Sequence, residues 1–439
     1  MKPQKALFLG GLPLAILTAC NLTASGHSPT IAWDTLRGTP PTQTATSLVP
    51  DIPTPTPTPS TPTITPTPTE NPLAIPRLEV GSAIDILRIE MLDTRNGWGI
   101  GGPRASGNSS HVFRTIDGGT AWVEVTPPEI ASSASDLTSM AAIGFFPDSQ
   151  TGWVTYHATL PGSVPSNPVI WKTTDGGRAW VSSSPLNTDG LMETYSVSHI
   201  VFSDSKSGWV LVHAGAGMNH DYIALYHSVD GGESWSRWID PTSDGGIQSC
   251  SKTGLAFTDG SNGWLTGNCH GVRPGAFLFQ TRDGGAHWDP VALPAPDGHP
   301  DLLTAFQYAC GVRAPFLHNH QAFLGVECAE MDAADGVTVN YLYRASADGN
   351  PDSLPYPGGG IFTLDGKRIW ALGKEIHRSE NGGIDWTKIS TVTWDGQFDF
   401  VTSQTGWAAV SKGSEYGLVQ TVDGGGLWAQ MAPVVAARP

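Results

Sequence analysis

The octet TVDGGGLW, Thr421 to Trp428, places an acidic residue directly before glycines and ends on a tryptophan. Such a segment could be a metal-binding loop, a catalytic site or a tight turn between two strands. In a turn, Asp423 can accept hydrogen bonds from the amides just ahead of it, while the glycines adopt positive φ angles. The Thr421 hydroxyl can add a local bond, and Trp428 can fold back over the turn. Every position therefore has a structural use, and the octet predicts a turn between strands.

The octet recurs along the chain, with a shortened copy, SADG, at Ser346 to Gly349. In one copy Asn381 replaces the aspartate, which keeps the hydrogen-bond acceptor and loses the charge. A turn tolerates that exchange, whereas nucleophilic or strong metal chemistry does not. We therefore expect a structural role for the residue at this position in all six full copies. These residues are Asp117, Asp175, Asp230, Asp283, Asn381 and Asp423.

A second repeated signal, usually Gly-Trp, precedes each octet, as at Gly152-Trp153 before Thr173 to Trp180. Each unit then reads as four strands, in which short turns join the first to the second and the third to the fourth. The 355 residues from 79 to 433 divided among seven units give about 51 residues each, close to one four-stranded propeller blade. The sequence predicts an all-β, seven-bladed β-propeller of antiparallel blades. The alternative is six blades, with the degenerate fifth unit as an insertion.

The N-terminal segment is typical of an exported protein. Residues 1–19 contain two lysines, an apolar run too short to span a membrane, and small residues before Cys20. The ending LTAC, Leu17 to Cys20, is similar to the lipobox of bacterial lipoproteins, which implies cleavage before Cys20 and lipidation of its sulfur. The alternative is an ordinary signal peptide with a chance cysteine. We expect an extracytoplasmic protein, lipid-anchored to the cell membrane or outer membrane.

Residues 20–78 form the expected linker, rich in Pro and Thr, which predicts an extended spacer without a packed core. The propeller is expected over residues 79–439. Removing Lys2 and Lys5 with the signal takes the formal charge from −16 to −18. This acidic chain has no basic run, which argues against nucleic acid as a partner.

Four further cysteines form two pairs, each placed symmetrically about a predicted turn between the first two strands of a unit. Cysteines at mirrored positions of a hairpin face each other, and an exported protein meets oxidising conditions. The sequence predicts the disulfides Cys250–Cys269 and Cys310–Cys328 in units four and five.

The repeated octet resembles the Asp-box, or BNR repeat, of sialidases and related propellers. Together with the Gly-Trp strand it is most similar to the photosystem II assembly and stability factors, and the resemblance covers nearly all of residues 79–433. It implies a single propeller that acts as a binding or assembly scaffold, without catalysis and without a cofactor.

The loops opposite the octets vary in length and sequence, and variable loops on a repeated scaffold are favoured binding sites. We call this side the loop-rich face and the other the octet face. The expected partner is an envelope or membrane protein, or a glycan. Candidate residues, chosen by position and polarity, are Arg104, His157, His220, Asp221, His270, Arg273, Glu330, Asp332, Glu415 and Tyr416.

Two other functions fit the sequence less well. A sialidase-like glycoside hydrolase needs an arginine triad, whereas the long loops contain only Arg104 and Arg273, and IPRL at Ile75 to Leu78 has the wrong order for the expected Arg-Ile-Pro segment. The loop histidines have no spacing typical of a zinc site, so no metal is expected.

Overall fold

The computed structural model divides the chain into two units, 1–67 and 68–439, and describes residues 73–131, 140–158, 168–191, 195–243, 245–331, 338–346 and 351–438. The expected signal, Cys20, most of the linker, Asp332 and nearly all of the shortened SADG copy lie outside these ranges. In the described ranges every regular element is a β-strand. Within these ranges there is no helix long and apolar enough to cross a membrane.

The strands form successive sheets in chain order. Strand β1 (Leu73–Ala74) pairs with β6 (Ile130–Ala131). Sheet 1 contains β2 (Ile84–Met91), β3 (Gly97–Pro103), β4 (His111–Thr115) and β5 (Ala121–Glu124); sheet 2 contains β7 (Met140–Phe145), β8 (Gly152–Ala158), β9 (Ile170–Thr173) and β10 (Val181–Ser182); sheet 3 contains β11 (Ser196–Phe202), β12 (Gly208–Gly217), β13 (His220–Ser228) and β14 (Ser236–Ile239).

Sheets 4 and 5 are joined. Sheet 4 contains β15 (Ser251–Phe257), β16 (Gly263–Asn268), β17 (Phe277–Thr281) and β18 (Asp289–Pro290); sheet 5 contains β19 (Tyr308–Val312), β20 (Phe316–His318), β21 (Gln321–Glu330), β22 (Thr338–Ser346) and β23 (Asp352–Pro355). A single pair, Asn268 with Gly311, connects β16 to β19. The innermost strand of sheet 5 is split into β19 and β20 around Pro315, which has no amide hydrogen to donate.

Two further sheets complete the series. Sheet 6 contains β24 (Gly360–Thr363), β25 (Ile369–Leu372), β26 (Glu375–Ser379) and β27 (Thr387–Thr391); sheet 7 contains β28 (Asp395–Phe400), β29 (Gly406–Lys412), β30 (Glu415–Thr421) and β31 (Ala429–Met431). The last strand, β32 (Val434–Ala436), returns to sheet 1 and pairs in parallel with β5. The sequence patterns did not predict this returning strand.

Buried apolar residues lie between successive sheets. One cluster joins Trp98 of sheet 1 to Phe146 after β7, and the next joins Trp153 of sheet 2 to Phe202 of sheet 3. Another cluster contains Ile86 of sheet 1 together with Trp407 of sheet 7. The first and last sheets therefore share a core, and the arrangement of consecutive four-stranded antiparallel sheets is of the β-propeller type.

The Gly-Trp strands explain how neighbouring sheets hold together. Trp153 stacks on Phe202 with ring centroids 3.8 Å apart, and its indole N–H donates to Gly231 O at 2.9 Å in the octet of sheet 3. Equivalent indole-to-octet bonds cross from sheet to sheet elsewhere. They are Trp209 to Gly284, Trp370 to Gly424 and Trp407 to Gly118.

The packed body begins before residue 79. Ile75 is buried in the cluster between sheets 1 and 2. Arg77 donates to Thr126 O at 2.9 Å, and the Leu78 amide donates to Glu124 Oε2 at 2.8 Å. The end of the expected linker is therefore part of the fold, because these contacts bind it to the edge of sheet 1.

Candidate functional site

The octets form turns in which the acidic side chain is occupied by local hydrogen bonds. In the first octet, Asp117 Oδ1 accepts from the Thr115 hydroxyl at 2.9 Å and from the Ala121 amide at 3.0 Å. Gly118 and Gly119 have φ angles of 80° and 94°, which favour glycine. The Asn381 copy preserves this pattern, since its Oδ1 accepts from the Asp385 amide at 2.9 Å.

Hydrogen bonding also sets the electrostatics of these turns. The backbone amide of Leu427, together with the Thr421 hydroxyl and the Gly426 amide, lowers the pKa of Asp423 despite some desolvation. A carboxylate held ionised by its own turn is a poor proton acceptor. This geometry suits a turn better than it suits acid–base chemistry.

Both predicted disulfides are confirmed. Cys250 is bonded to Cys269, and Cys310 to Cys328. Each bond joins the start of an innermost strand to the end of its neighbour, at the end of the sheet that carries the loop-rich face. Disulfides persist in oxidising compartments, so the pair fits an extracytoplasmic protein.

The loop-rich face brings some of the candidate residues together over sheets 3 to 5. His220 is exposed and stacks on Tyr222 with centroids 5.6 Å apart. It bridges to Ser249, which precedes the Cys250–Cys269 disulfide. Exposed His270 follows that disulfide, and the Arg273 guanidinium lies 5.4 Å from the Phe277 ring centroid. Glu330, also exposed, ends β21 next to this group.

The remaining described candidates lie elsewhere. Arg104 is exposed, with Nε 3.8 Å from Asp85 Oδ1 in sheet 1. Glu415 and Tyr416 begin β30 in sheet 7 and are exposed. Tyr416 lies beside Gly107, where a Cβ would be 3.5 Å from the tyrosine ring. These residues form a second exposed group, at the junction of sheets 7 and 1.

Asp221 differs from the expectation of an exposed loop ligand, because it is buried. Its Oδ1 is 2.7 Å from His213 Nδ1, and its Oδ2 accepts from the Lys252 amide at 2.8 Å. The Lys252 ammonium donates to three carbonyl oxygens, including Cys250 O at 2.8 Å. Asp221 therefore fixes the disulfide-bearing segment from beneath rather than facing a ligand.

His157 also differs, since it is partly buried at the end of β8 rather than exposed in a loop. Desolvation lowers its pKa to about 4, with further contributions from Arg88 and His213. Its Nδ1 is buried and has no hydrogen-bond partner among the residues that the structure describes. Desolvation also lowers the pKa of His199 to about 4, and the same two neighbours, Arg88 and His213, lower it further.

An exposed apolar patch accompanies the first group of candidates. Its four members are Met218, Val272, Phe306 and Met331, all in connections on the loop-rich face, and the last three are 49%, 66% and 49% exposed. The Met331 amide donates to Gln307 O at 2.9 Å, and the Met331 sulfur packs directly against Gly271, where a Cβ would collide with it. The Cys250 amide donates to Asn219 O at 2.8 Å, which places Met218 beside the disulfide. These contacts place the four residues on neighbouring connections of the loop-rich face, and we call them together the apolar patch.

A cavity of about 430 Å³ lies among the innermost strands of sheets 5, 6, 7 and 1. Glu90 and Asp399 line it, and desolvation raises the pKa of Glu90 to about 8, with a further contribution from the Asp399 charge. Desolvation likewise raises the pKa of Asp399 to about 6. Sequence reasoning missed both residues. The available signal was an acidic side chain among apolar neighbours inside a predicted innermost strand.

These sheets define the chain as an all-β protein of the β-propeller type. No protein-family model matches it, and no curated protein matches it either. Among solved structures it is similar to YCF48 bound to D1 peptide, at 18% identity and a TM-score of 0.47, covering 80% of this chain and 95% of that one. It is also similar to the polysaccharide lyase Uly1, at 11% identity and a TM-score of 0.49, covering 77% and 90%. A likeness at this level shows nothing about the activity of this chain.

Proposed function

We propose that this chain is a seven-bladed β-propeller that acts as a non-catalytic binding or assembly scaffold in the cell envelope. In this proposal sheets 1 to 7 are the blades, and lipid on Cys20 tethers the protein to a membrane. The partner is an envelope or membrane protein that docks on the loop-rich face. The octets serve as turns of the Asp-box type on the opposite face.

The apolar patch carries this proposal. Large apolar side chains that are exposed together, rather than singly, are typical of interaction sites. The Cys250–Cys269 disulfide and the buried Asp221–Lys252 network hold the neighbouring loops. A surface held in one conformation loses little entropy on binding, which favours a docking function. Exposed Arg273 and Glu330 border the patch and supply a polar rim.

The test compares two sets of surface substitutions in the tethered full chain. The first set is Met218→Ser, Val272→Ser and Met331→Ser in the apolar patch. The matched control set is Ile116→Ser, Val229→Ser and Val422→Ser, which changes exposed apolar residues of the octets. After crosslinking in intact envelopes, the patch variant should lose partners that the wild type and the control retain. Equal capture by all three proteins would contradict the proposal.

A further inference from the structure

The cavity is lined by two acidic groups that form no ion pair within the described part of the chain. Glu90 on β2 and Asp399 on β28 come from sheets 1 and 7, whose innermost strands are neighbours. No basic side chain contributes to the electrostatic environment of either carboxyl. Arg313 also lines the cavity, but its Nε bonds Glu327 Oε1 at 2.6 Å. Neither acid therefore forms an ion pair with a basic side chain of the described residues, although Arg313 lines the same cavity.

Their hydrogen bonds leave acceptor capacity unused. Asp399 Oδ2 accepts from the Met91 amide, and Glu90 accepts a backbone hydrogen bond from Phe146. An ionised carboxylate has about four acceptor positions on its two oxygens. Glu90 is enclosed by protein and keeps only the partial exposure that the cavity gives it. Carboxylate oxygens with acceptor positions left over, in a partly enclosed cavity, can accept hydrogen bonds from a ligand that carries positive charge.

Apolar and aromatic side chains form much of the remaining wall, which Arg313 and Gln397 also line. Phe316, Ile361, Phe362 and Phe398 come from the innermost strands of sheets 5, 6 and 7. One end of the cavity is lined by Glu90 and Asp399. The opposite end is lined by Gly360 and Gly396, at the beginnings of β24 and β28, and therefore lies toward the loop-rich face. The cavity thus combines an acidic end with an apolar length of wall.

The donor set fits an ammonium group better than a metal ion. Gln397, the other polar neighbour, already uses both atoms of its amide, because Oε1 accepts from the Ile89 amide and Nε2 donates to Ile89 O, each at 2.8 Å. In the described part of the chain, no group of three or more His, Cys, Asp or Glu side chains could hold a metal ion. An ammonium has three N–H donors, which two carboxylates can accept, and an alkyl stem can contact the apolar wall.

We propose that this cavity binds a primary ammonium group on an apolar stem, with Glu90 and Asp399 holding the ammonium and the phenylalanines covering the stem. The source is either a free alkylamine or a lysine side chain of a partner. This site is separate from the apolar patch, so its success or failure does not depend on the proposed docking function.

Protonation supports the same chemistry. The Glu90 carboxyl faces Asp399 across the cavity, while Arg313 is engaged by Glu327 and Arg88 lies two positions earlier on the same strand. Because the pKa of Glu90 is raised to about 8, this carboxyl is mostly protonated at neutral pH in the empty cavity. A bound cation favours its ionised form, so binding near pH 7 should release about one proton.

The experiment is calorimetric titration of the full chain with n-hexylammonium, in two buffers of different ionisation enthalpy. The neutral probe 1-hexanol and the anionic probe hexanoate test the need for positive charge. Nα-acetyl-lysine N-methylamide is titrated in parallel. Tighter binding of this capped lysine than of hexylammonium indicates a lysine side chain as the ligand, and the reverse order indicates a free alkylamine. We expect hexylammonium to bind with proton release, and hexanol and hexanoate to bind more weakly.

The variants are Glu90→Gln and Asp399→Asn, which keep size and hydrogen-bonding ability, with Glu233→Gln, exposed in the octet of sheet 3, as the control. Each cavity variant should weaken hexylammonium binding by roughly tenfold or more, since charge-assisted bonds are lost. Unchanged circular dichroism establishes that the variants fold. The proposal would be overturned if hexanol bound as tightly as hexylammonium, or if Glu90→Gln bound hexylammonium with unaltered affinity. It would also be overturned if the wild type bound Ca²⁺ more tightly than hexylammonium and Glu90→Gln abolished that Ca²⁺ binding.

Discussion

The indole N–H of Trp407 in sheet 7 donates a 2.9 Å hydrogen bond to the carbonyl oxygen of Gly118 in the first octet. The two residues are 289 positions apart in the chain. Trp407 is fully buried in the cluster that sheets 7 and 1 share. Gln397 on the first strand of sheet 7 also bonds the Ile89 backbone on the first strand of sheet 1, and β32 pairs with β5, the fourth strand of sheet 1. Three separate sets of contacts therefore join the end of the described chain to its beginning.

Substituting Trp407→Phe should weaken this junction. The change removes the indole donor, leaves Gly118 O without its partner and opens space in a packed core. We expect a loss of about 2 kcal/mol in the free energy of unfolding, measured by urea denaturation. The control is Trp288→Phe, whose indole bonds Gly285 O in its own octet at the periphery. A Trp407→Phe protein no less stable than this control would show that the junction contributes little.

The octet aspartates should tolerate loss of charge but not loss of the acceptor. In Asp423→Asn the side-chain oxygen can still accept from the Leu427 amide, as Asn381 does in its own octet. In Asp423→Ala those amides lose their acceptor, and we expect a loss of about 1 kcal/mol in the free energy of unfolding. Thermal denaturation compares the two variants. An alanine variant as stable as the asparagine variant would argue against the turn role.

Glu90 should make the protein less stable as pH rises. Its pKa in the folded state is raised to about 8, so between about pH 4.5 and pH 8 the folded chain holds a proton that the unfolded chain has lost. Stability therefore falls across that interval and levels off above it. Asp399, with its pKa raised to about 6, adds a fall that ends near pH 6.

The variant Glu90→Gln cannot ionise and removes the larger of these effects. Its stability relative to the wild type should increase by more than about 1 kcal/mol between pH 5 and pH 8, measured by urea denaturation at both values. The control is Glu415→Gln, a substitution of an exposed residue at the start of β30. A difference between Glu90→Gln and the wild type that is the same at both pH values would refute this prediction.

The Cys250–Cys269 disulfide should hold the apolar patch as well as stabilise the fold. Replacing both cysteines with serine removes a link across 19 residues, which we expect to cost about 3 kcal/mol. Partner capture should also weaken, because Met218 and Val272 lie in the segments that this bond joins. Replacing Cys310 and Cys328 together is the comparison. If the Cys250→Ser, Cys269→Ser variant lost stability but captured partners as well as the wild type, the disulfide would not be needed to hold the binding surface.

Local patterns explain which features could be predicted from the sequence. The hydrogen bonds of an octet form between its own residues, so the spacing of Thr115 and Asp117 is enough to predict the turn. The cysteine pairs were predictable for the same reason, since hairpin symmetry places Cys310 opposite Cys328. Both kinds of feature depend on residues within one repeat.

Contacts between repeats could not be read from spacing. The partner of Trp407 lies in another unit, and the parallel pairing of β32 with β5 depends on how the chain returns to its beginning. The same limit explains the errors among the candidate residues. Asp221 follows a loop in sequence, but Lys252 from the next sheet buries it. Glu90 and Asp399 are 309 positions apart, and only the packing of sheets 1 and 7 brings both to one cavity.

The most direct test of the proposed scaffold function is site-specific photocrosslinking in intact cells. A photoreactive amino acid is placed at Met218 or Val272 in the apolar patch, and at Ile116 or Val422 on the octet face as controls. The proposal predicts a discrete crosslinked envelope or membrane protein from the patch positions and none from the octet positions. The absence of a patch-specific product, or the same product from both faces, would contradict it.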